Sequence, residues 1–304
     1  MKVSIIIPTL NAEKDLKMNI ELLKKYNKRE GFEVIIVDSE SLDNTVKLAR
    51  DSEFEVLNIK KSEFNHGGTR NLAVNKSKGS IIVFLTQDAI LKDENSIDNL
   101  IRPLIENKDI GMSYGRQLPH LNAKVMGAFA RIHNYPEISS VKSIKEKEVY
   151  GIKTVFCSNS FSAYNTKVFQ EVGMFPNNVI LSEDTYVCSK MLKRNYKVAY
   201  VGDACVYHSH DYTIKEEFKR YFDIGVFYGR ESWILEEFSK AEKEGITFVI
   251  EQGKYLLKNK NGHLILELVV RNAMKYLGYR LGLSEKKIPI SFKRKLSMHK
   301  GYWR

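Results

Sequence analysis

Nowhere in this 304-residue chain do eighteen apolar residues follow one another, so no helix is expected to span a bilayer. Cysteine is scarce. Cys157, Cys188 and Cys205 are odd in number and show no CxxC spacing, which argues against a disulfide framework or a zinc site and for a reducing cytoplasm. The N-terminal stretch MKVSIIIPTLNAEKDL has only a short apolar run, broken by Pro8, and lacks the cleavage site of a signal peptide. It reads as a first strand. Helix-turn-helix, zinc-finger and RNP-like motifs are missing, so a nucleic-acid partner has no support beyond charge. Internal repeats and low-complexity tracts are missing too.

What is present describes an ordinary globular protein, with 43% hydrophobic and 28% charged residues. The length fits one large α/β domain with an appendage, or two modest domains. Lys and Arg total 48 against 37 acids, a formal net charge of +11, which favours nucleotides, phospholipid headgroups or other anions as partners.

Short β-branched runs at residues 3–7 and 34–37 flank a stretch with Leu16, Ile20 and Leu23 at helical spacing, which predicts a β-α-β unit. A helix at 45–50, a strand at 54–59, a helix at 69–76 and a strand at 81–85 continue the alternation. That pattern predicts an α/β fold with a mostly parallel sheet flanked by helices. Residues 110–155 give no clear pattern, and the Lys-Glu run 142–147 reads as a solvated or mobile loop. A helix follows SED at 182–184, with Tyr186, Met191 and Leu192 facing inward, and then comes the strand KVAYVGDACVYH. Beyond Tyr207 the chain is rich in aromatics at helical spacing, includes a helix over 263–283, and ends in a basic tail.

In open α/β sheets, ligands sit beyond the carboxyl ends of the strands, so the polar residues there are the candidates. Asp88 ends the break Thr86-Gln87-Asp88 after the apolar run IIVFL; a carboxylate in that place can hold a divalent cation, which neutralises a diphosphate, or can simply turn the chain. Asp38 and Asp43 can accept hydrogen bonds from a ribose or base, and Asp43-Asn44 can also cap the next helix. Gly67-Gly68 before a helix, with Arg70 in its first turn, offers amides and a guanidinium to an anion, or forms a glycine turn with no ligand. The acids Glu183 and Asp184 serve either as first-turn charges or, for one of them, as a general base. His208 and His210 share a face of an extended segment and supply a metal ligand or a diphosphate contact, or act structurally.

Taken in order, SIIIPTLN, IIVDSESLDNT, GGTRNLA, FLTQDA and the later SED resemble glycosyltransferase family 2 over about residues 1–210. The continuation HSHDYTIKEEFKRYFDIGVF is similar to bacterial rhamnosyltransferases of surface-polysaccharide synthesis. The resemblance implies a GT-A fold, a Rossmann-like catalytic domain at 1–210 with a helical, basic extension at 211–304, and single displacement with inversion at the anomeric carbon. It implies that Thr9, Asn11, Glu13, Asp38, Arg70, Gln87 and Asp88 bind the nucleotide sugar. Asp88 is the last acid of the metal motif, His208 and His210 are further ligand candidates, and Asp184 is the catalytic base. The first acid of that motif is replaced by Thr86, so a single carboxylate meets the Mg²⁺ or Mn²⁺ expected there. Ser39 stands where many members carry a second acid, and VDS fits a dTDP-L-rhamnose donor. The implied acceptor is a glycan or polyprenyl-diphosphate-linked saccharide. The basic C-terminal region would seat the enzyme on an anionic leaflet at the inner face of the cell membrane. Rival readings are a UDP- or GDP-sugar donor, or a catalytically silent sugar-nucleotide-binding protein.

Overall fold

The computed structural model describes residues 1–238 and 244–303; Arg304, the last residue of the basic tail, lies outside them. The strands are β1 Val3–Thr9, β2 Phe32–Asp38, β3 Glu55–Asn58, β4 Ile81–Leu85, β5 Ile90–Leu91, β6 Ile110–Leu118, β7 Ser140–Lys142, β8 Phe161–Asn165 and β9 Lys197–Tyr207. The helices are α1 Glu13–Lys28, α2 Thr45–Asp51, α3 His66–Lys76, α4 Ser96–Glu106, α5 Val125–Asn134, α6 Lys147–Tyr150, α7 Thr166–Glu171, α8 Glu183–Lys193, α9 Ile214–Arg230, α10 Ser232–Phe238, α11 Glu244–Lys258, α12 Ile265–Leu283 and α13 Ile290–Leu296.

One sheet runs in the order β3-β2-β1-β4-β8-β6-β9-β5, with β7 on β9. Its β3-β2-β1-β4 half is parallel, as the alternation predicts. Beyond β4 the sheet is mixed: β8 is antiparallel to both β4 and β6, while β6 and β9 are parallel. Side chains of the central strands alternate between two buried layers. Ile6, Ile35, Ile82 and Phe84 enter one, and Ile5, Ile7, Ile36 and Val83 the other. Such two-sided burial is why these strands read as unbroken apolar runs.

The C-terminal helices belong to the first of these layers. Phe222, Val226, Phe227 and Trp303 share it with Phe84 and Tyr164, so packing shows no break at the boundary expected near residue 210. Among the described residues, no helix is long and apolar enough to cross a membrane.

The segment without a clear pattern contains β6, and its glycines are the reason it was not legible. A Cβ on Gly115 would lie 2.4 Å from the Phe161 ring, and one on Gly111 would lie 2.9 Å from Val168. These glycines permit close packing rather than a turn. The solvated reading of 142–147 also changes at its first residue. Lys142 is 7% exposed because β7 pairs with β9, and its Nζ donates to Phe156 O (2.7 Å), Tyr114 Oη (3.2 Å) and Lys153 O (3.2 Å). Burial pushes its pKa below the usual lysine range. Replacing Lys142 with Ala strands these acceptors and should cost about 3 kcal/mol of unfolding free energy, read as a lowered urea midpoint.

Candidate active site

The site opens where β1 and β4 part. Ser39 N donates to Thr9 O, so the polar groups of Thr9 face β2, and by alternation those of Pro8 and Leu10 face β4. Pro8 has no N–H to give, and the β1–β4 pairing stops at Ile6 and Phe84. The gap is bridged by Gln87, whose Oε1 accepts from Leu10 N at 2.9 Å and whose Nε2 donates to Leu10 O at 3.4 Å. Strand order also reverses here, with β2 on one side of β1 and β4 on the other. A doubly wound sheet makes its ligand crevice at such a place.

Asp88 stands in the turn just after Gln87, and the end of β9 delivers two histidines to it. His208 Nε2 is 3.4 Å and His210 Nε2 3.7 Å from Asp88 Oδ2, and one ligand atom from each residue falls within 4.8 Å of the others. The state of His208 follows from its other nitrogen. Arg131 Nη1 donates to Gln117 Oε1 at 2.8 Å, which identifies that atom as the amide oxygen, and His208 Nδ1 lies 2.9 Å from it. Nδ1 therefore carries a proton, and it is Nε2 that faces Asp88. Burial pushes the His208 pKa below the ordinary value and that of His210 to about 4. Burial opposes ionisation of Asp88, yet the neighbouring His208 and His210 hold its carboxyl below the usual range.

The cluster is thus one carboxylate and two imidazoles whose Nε2 atoms face it. A divalent cation fits this donor set, and the Gln117 contact fixes the orientation of the His208 ring toward it. Two nitrogens and one oxygen suit Mn²⁺ better than Mg²⁺, which prefers oxygen ligands. Thr86, in place of a further acid, gives its backbone N–H to Ser160 O at 3.1 Å.

From this cluster a hydrogen-bonded path leads to Asp184. Gln117 Nε2 donates to Ser158 Oγ at 2.9 Å, and the N–H of the next residue, Asn159, donates to Asp184 Oδ2 at 3.0 Å. Thr185 N holds Oδ1 at 2.7 Å. Burial, with the adjacent charge of Glu183, pushes Asp184 up to about 6 despite these donors. Glu183 behaves oppositely. Burial disfavours its charge, but Arg70, with Nη1 3.3 Å from Glu183 Oε1, holds its carboxyl below the usual range. The two neighbouring acids are driven apart in pKa, Glu183 downward by Arg70 and Asp184 upward by burial and the Glu183 charge.

The remaining candidates divide. Arg70 does not reach into the crevice: it is 4% exposed and donates to His66 O besides pairing with Glu183. The amides of Gly67 and Gly68 are taken by Asn65 Oδ1, and a Cβ on Gly67 would lie 2.4 Å from Pro176 O; the paired glycines serve packing, and the helix start offers no free anion cradle. Thr9 Oγ1 donates to Asp38 Oδ1 at 3.1 Å, and both oxygens of Asp38 accept from Ser41. Asn11 Oδ1 accepts from Leu42 N, and Glu13 Oε2 from Asn44. Thr9, Asn11, Glu13 and Asp38 are thereby gathered into one braced pair of loops, which borders an open groove of about 430 Å³ lined by Asn11, Glu13, Lys14, Lys17 and Asp43. Asp43 Oδ1 accepts from Thr45 N, so Asp43 rather than Asn44 caps α2. Ser39 Oγ is buried beside Asp38 without a hydrogen-bond partner. Sequence pattern gives no sign of Gln117, Arg131, Ser158 and Asn159, because each acts through a partner outside its own local segment.

The chain resembles several known proteins. The chain is 45% identical to the O-antigen chain rhamnosyltransferase RfbN of Salmonella typhimurium, covering 100% of this chain and 96% of that one. It is 41% identical to the O-antigen chain rhamnosyltransferase WbaN of Salmonella anatum, covering 99% and 95%. Among solved structures, the mannosyltransferase PcManGT from Pyrobaculum calidifontis, in complex with GDP-Man and Mn²⁺, superposes with a TM-score of 0.63 over 94% of this chain and 88% of that one, at 14% identity. TarS of S. aureus with UDP-GlcNAc superposes at 0.54 over 94% and 92%, at 16% identity. These likenesses establish a GT-A-like fold. The family profile for glycosyl transferase family 2 matches residues 4–173, and with full-length identity of 45% to a curated relative the chain belongs to glycosyl transferase family 2 and is a glycosyltransferase.

Proposed function

We propose that this enzyme transfers L-rhamnose from dTDP-L-rhamnose, with inversion, to a growing lipid-linked surface polysaccharide at an anionic membrane surface. The observation that carries the chemistry is the path from Asp88 through His208, Gln117 and Ser158 to the loop that holds Asp184. The reading is supported by this link between the Asp88, His208 and His210 cluster and the loop whose N–H holds Asp184. The choice of rhamnose and of a surface glycan is supported by the two relatives named as O-antigen chain rhamnosyltransferases.

In the proposed reaction Asp184 accepts the proton of the acceptor hydroxyl as its oxygen bonds to the anomeric carbon. The bond from that carbon to the diphosphate oxygen breaks on the opposite face, and dTDP leaves with the electron pair. Asp88, His208 and His210 would hold a divalent cation, Mn²⁺ in preference to Mg²⁺, which supplies charge neutralisation for the departing diphosphate. Asn159 N–H and Thr185 N–H aim the base, while Glu183, locked to Arg70, keeps its pKa high.

A thermal-shift panel with dTDP, UDP and GDP, each with and without Mn²⁺, tests the donor. At a hundredfold excess over Kd, dTDP with Mn²⁺ should stabilise the protein by about 2.7 kcal/mol. Larger shifts with UDP or GDP would reassign the donor.

A further inference from the structure

The helix α12 is apolar on both sides. Its inner side packs on α9 through glycines so closely that it cannot turn: a Cβ on Gly282 would lie 2.1 Å from Phe222 O, one on Gly278 2.4 Å from Phe218 O, and one on Gly225 of α9 2.2 Å from Tyr279 O. Its outer side carries Leu266, Val269, Val270, Ala273, Tyr276 and Leu277, all exposed, with Leu266 75% and Tyr276 64% exposed. At a helical repeat of about 100° per residue these six span an arc of roughly 120°. A contiguous apolar stripe of this kind marks an interaction surface.

Charge identifies the partner. Residues 245–304 contain thirteen Lys and Arg but only three acids, Glu251, Glu267 and Glu285, so this stretch supplies nearly all of the +11 excess. All three acids are engaged, with His133, Arg271, and Arg230 together with Lys293, respectively. Arg280 is exposed at the end of the stripe, Lys286 and Lys287 just beyond it, and Lys254 and Lys258 on the adjoining α11. We infer that the outer face of α12 docks on an anionic lipid bilayer, its apolar stripe entering the headgroup boundary and the surrounding cations meeting lipid phosphates. A second copy of the chain is disfavoured on this face, since two such cationic excesses would be brought together.

The placement also serves transfer to a lipid-linked acceptor and in that respect rests on the function proposed above. On the inner side of α12, Arg271 donates to Tyr212 O at 2.7 Å, and the Tyr212 ring stacks on His210 with centroids 5.1 Å apart. One helix diameter, about 10 Å, therefore separates the stripe from the contacts that hold the cation cluster.

Vesicle flotation of the full chain is the test, with phosphatidylcholine alone and mixed with phosphatidylglycerol. The parent should bind the mixed vesicles about tenfold or more tightly than the neutral ones, and added salt should weaken that binding. The double substitution Leu266→Glu and Leu277→Glu should reduce binding about tenfold or more, with the thermal midpoint and transfer to a soluble saccharide unchanged. Equal binding by parent and variant, or no binding by the parent, overturns the proposal. A parent dimer that the variant converts to monomers would assign the face to a second copy and overturn it as well. Because donor use is read with the soluble acceptor, failure of docking and failure of the rhamnosyltransferase reading give different results.

Discussion

Asp184→Asn should lower kcat about a thousandfold while leaving nucleotide binding and the folded state intact. Asn keeps the shape, so at least one of the two amides that now hold the carboxylate, Asn159 N–H and Thr185 N–H, retains an acceptor. What is lost is the ability to take a proton. The parent enzyme should show the matching pH dependence: the base works ionised, so kcat should fall as pH drops through about 6, the value to which burial and Glu183 raise it. Stability should move the other way. A carboxyl raised in the folded state from an ordinary value of 3.8 favours folding when protonated. That contribution is complete below the unfolded value and is lost as pH rises through about 6. At pH 7.5 the Asn variant should therefore melt no lower than the parent, because it removes a charge that folding disfavours. A rate loss with no stability loss separates a base from a mere helix-start acid. Retained turnover would place the base elsewhere.

The second large effect belongs to Asp88. Replacing it with Asn removes the only carboxylate of the cluster, leaving two imidazoles that attract a cation far less. Mn²⁺-dependent stabilisation by dTDP should vanish, and kcat/KM should fall about a thousandfold. The same measurement distinguishes a metal role from a turn-forming one. If Asp88 only shaped the chain, Asn, an equally good turn residue, would preserve both the metal response and the rate.

The fold of the first half was readable because its causes are local. Five apolar residues in a row need burial on both faces, Leu16, Ile20 and Leu23 at helical spacing need one face covered, and both conditions are met within a single β-α-β unit. β6 was not readable, since Gly111 and Gly115 look like turn formers until Val168 and Phe161 are in place against them. With β6 went Gln117, and so the reason His208 presents Nε2 to Asp88. Arg70 shows the opposite error: a guanidinium beside paired glycines suits an anion, but its partner is a buried carboxylate 113 positions further along, Glu183. Lys142 likewise reads as part of a solvated charge run until β7 pairs with β9 and three oxygens surround its ammonium.

By itself, then, the amino-acid sequence determined which residues have chemistry to offer and which end of each strand presents it: Asp88 after β4, Asp184 at the start of α8, His208 and His210 after β9. Periodicity and turn chemistry act over a few residues and are written in the order of the chain. Tertiary structure alone decided the protonation pattern and the pairing. Whether a carboxylate is driven down or up in pKa, and which nitrogen of an imidazole faces the cluster, depends on burial and on partners such as Glu183, Gln117 and Arg131. Those groups become neighbours only when strands distant in the chain lie side by side, since electrostatics inside a protein follows distance in space.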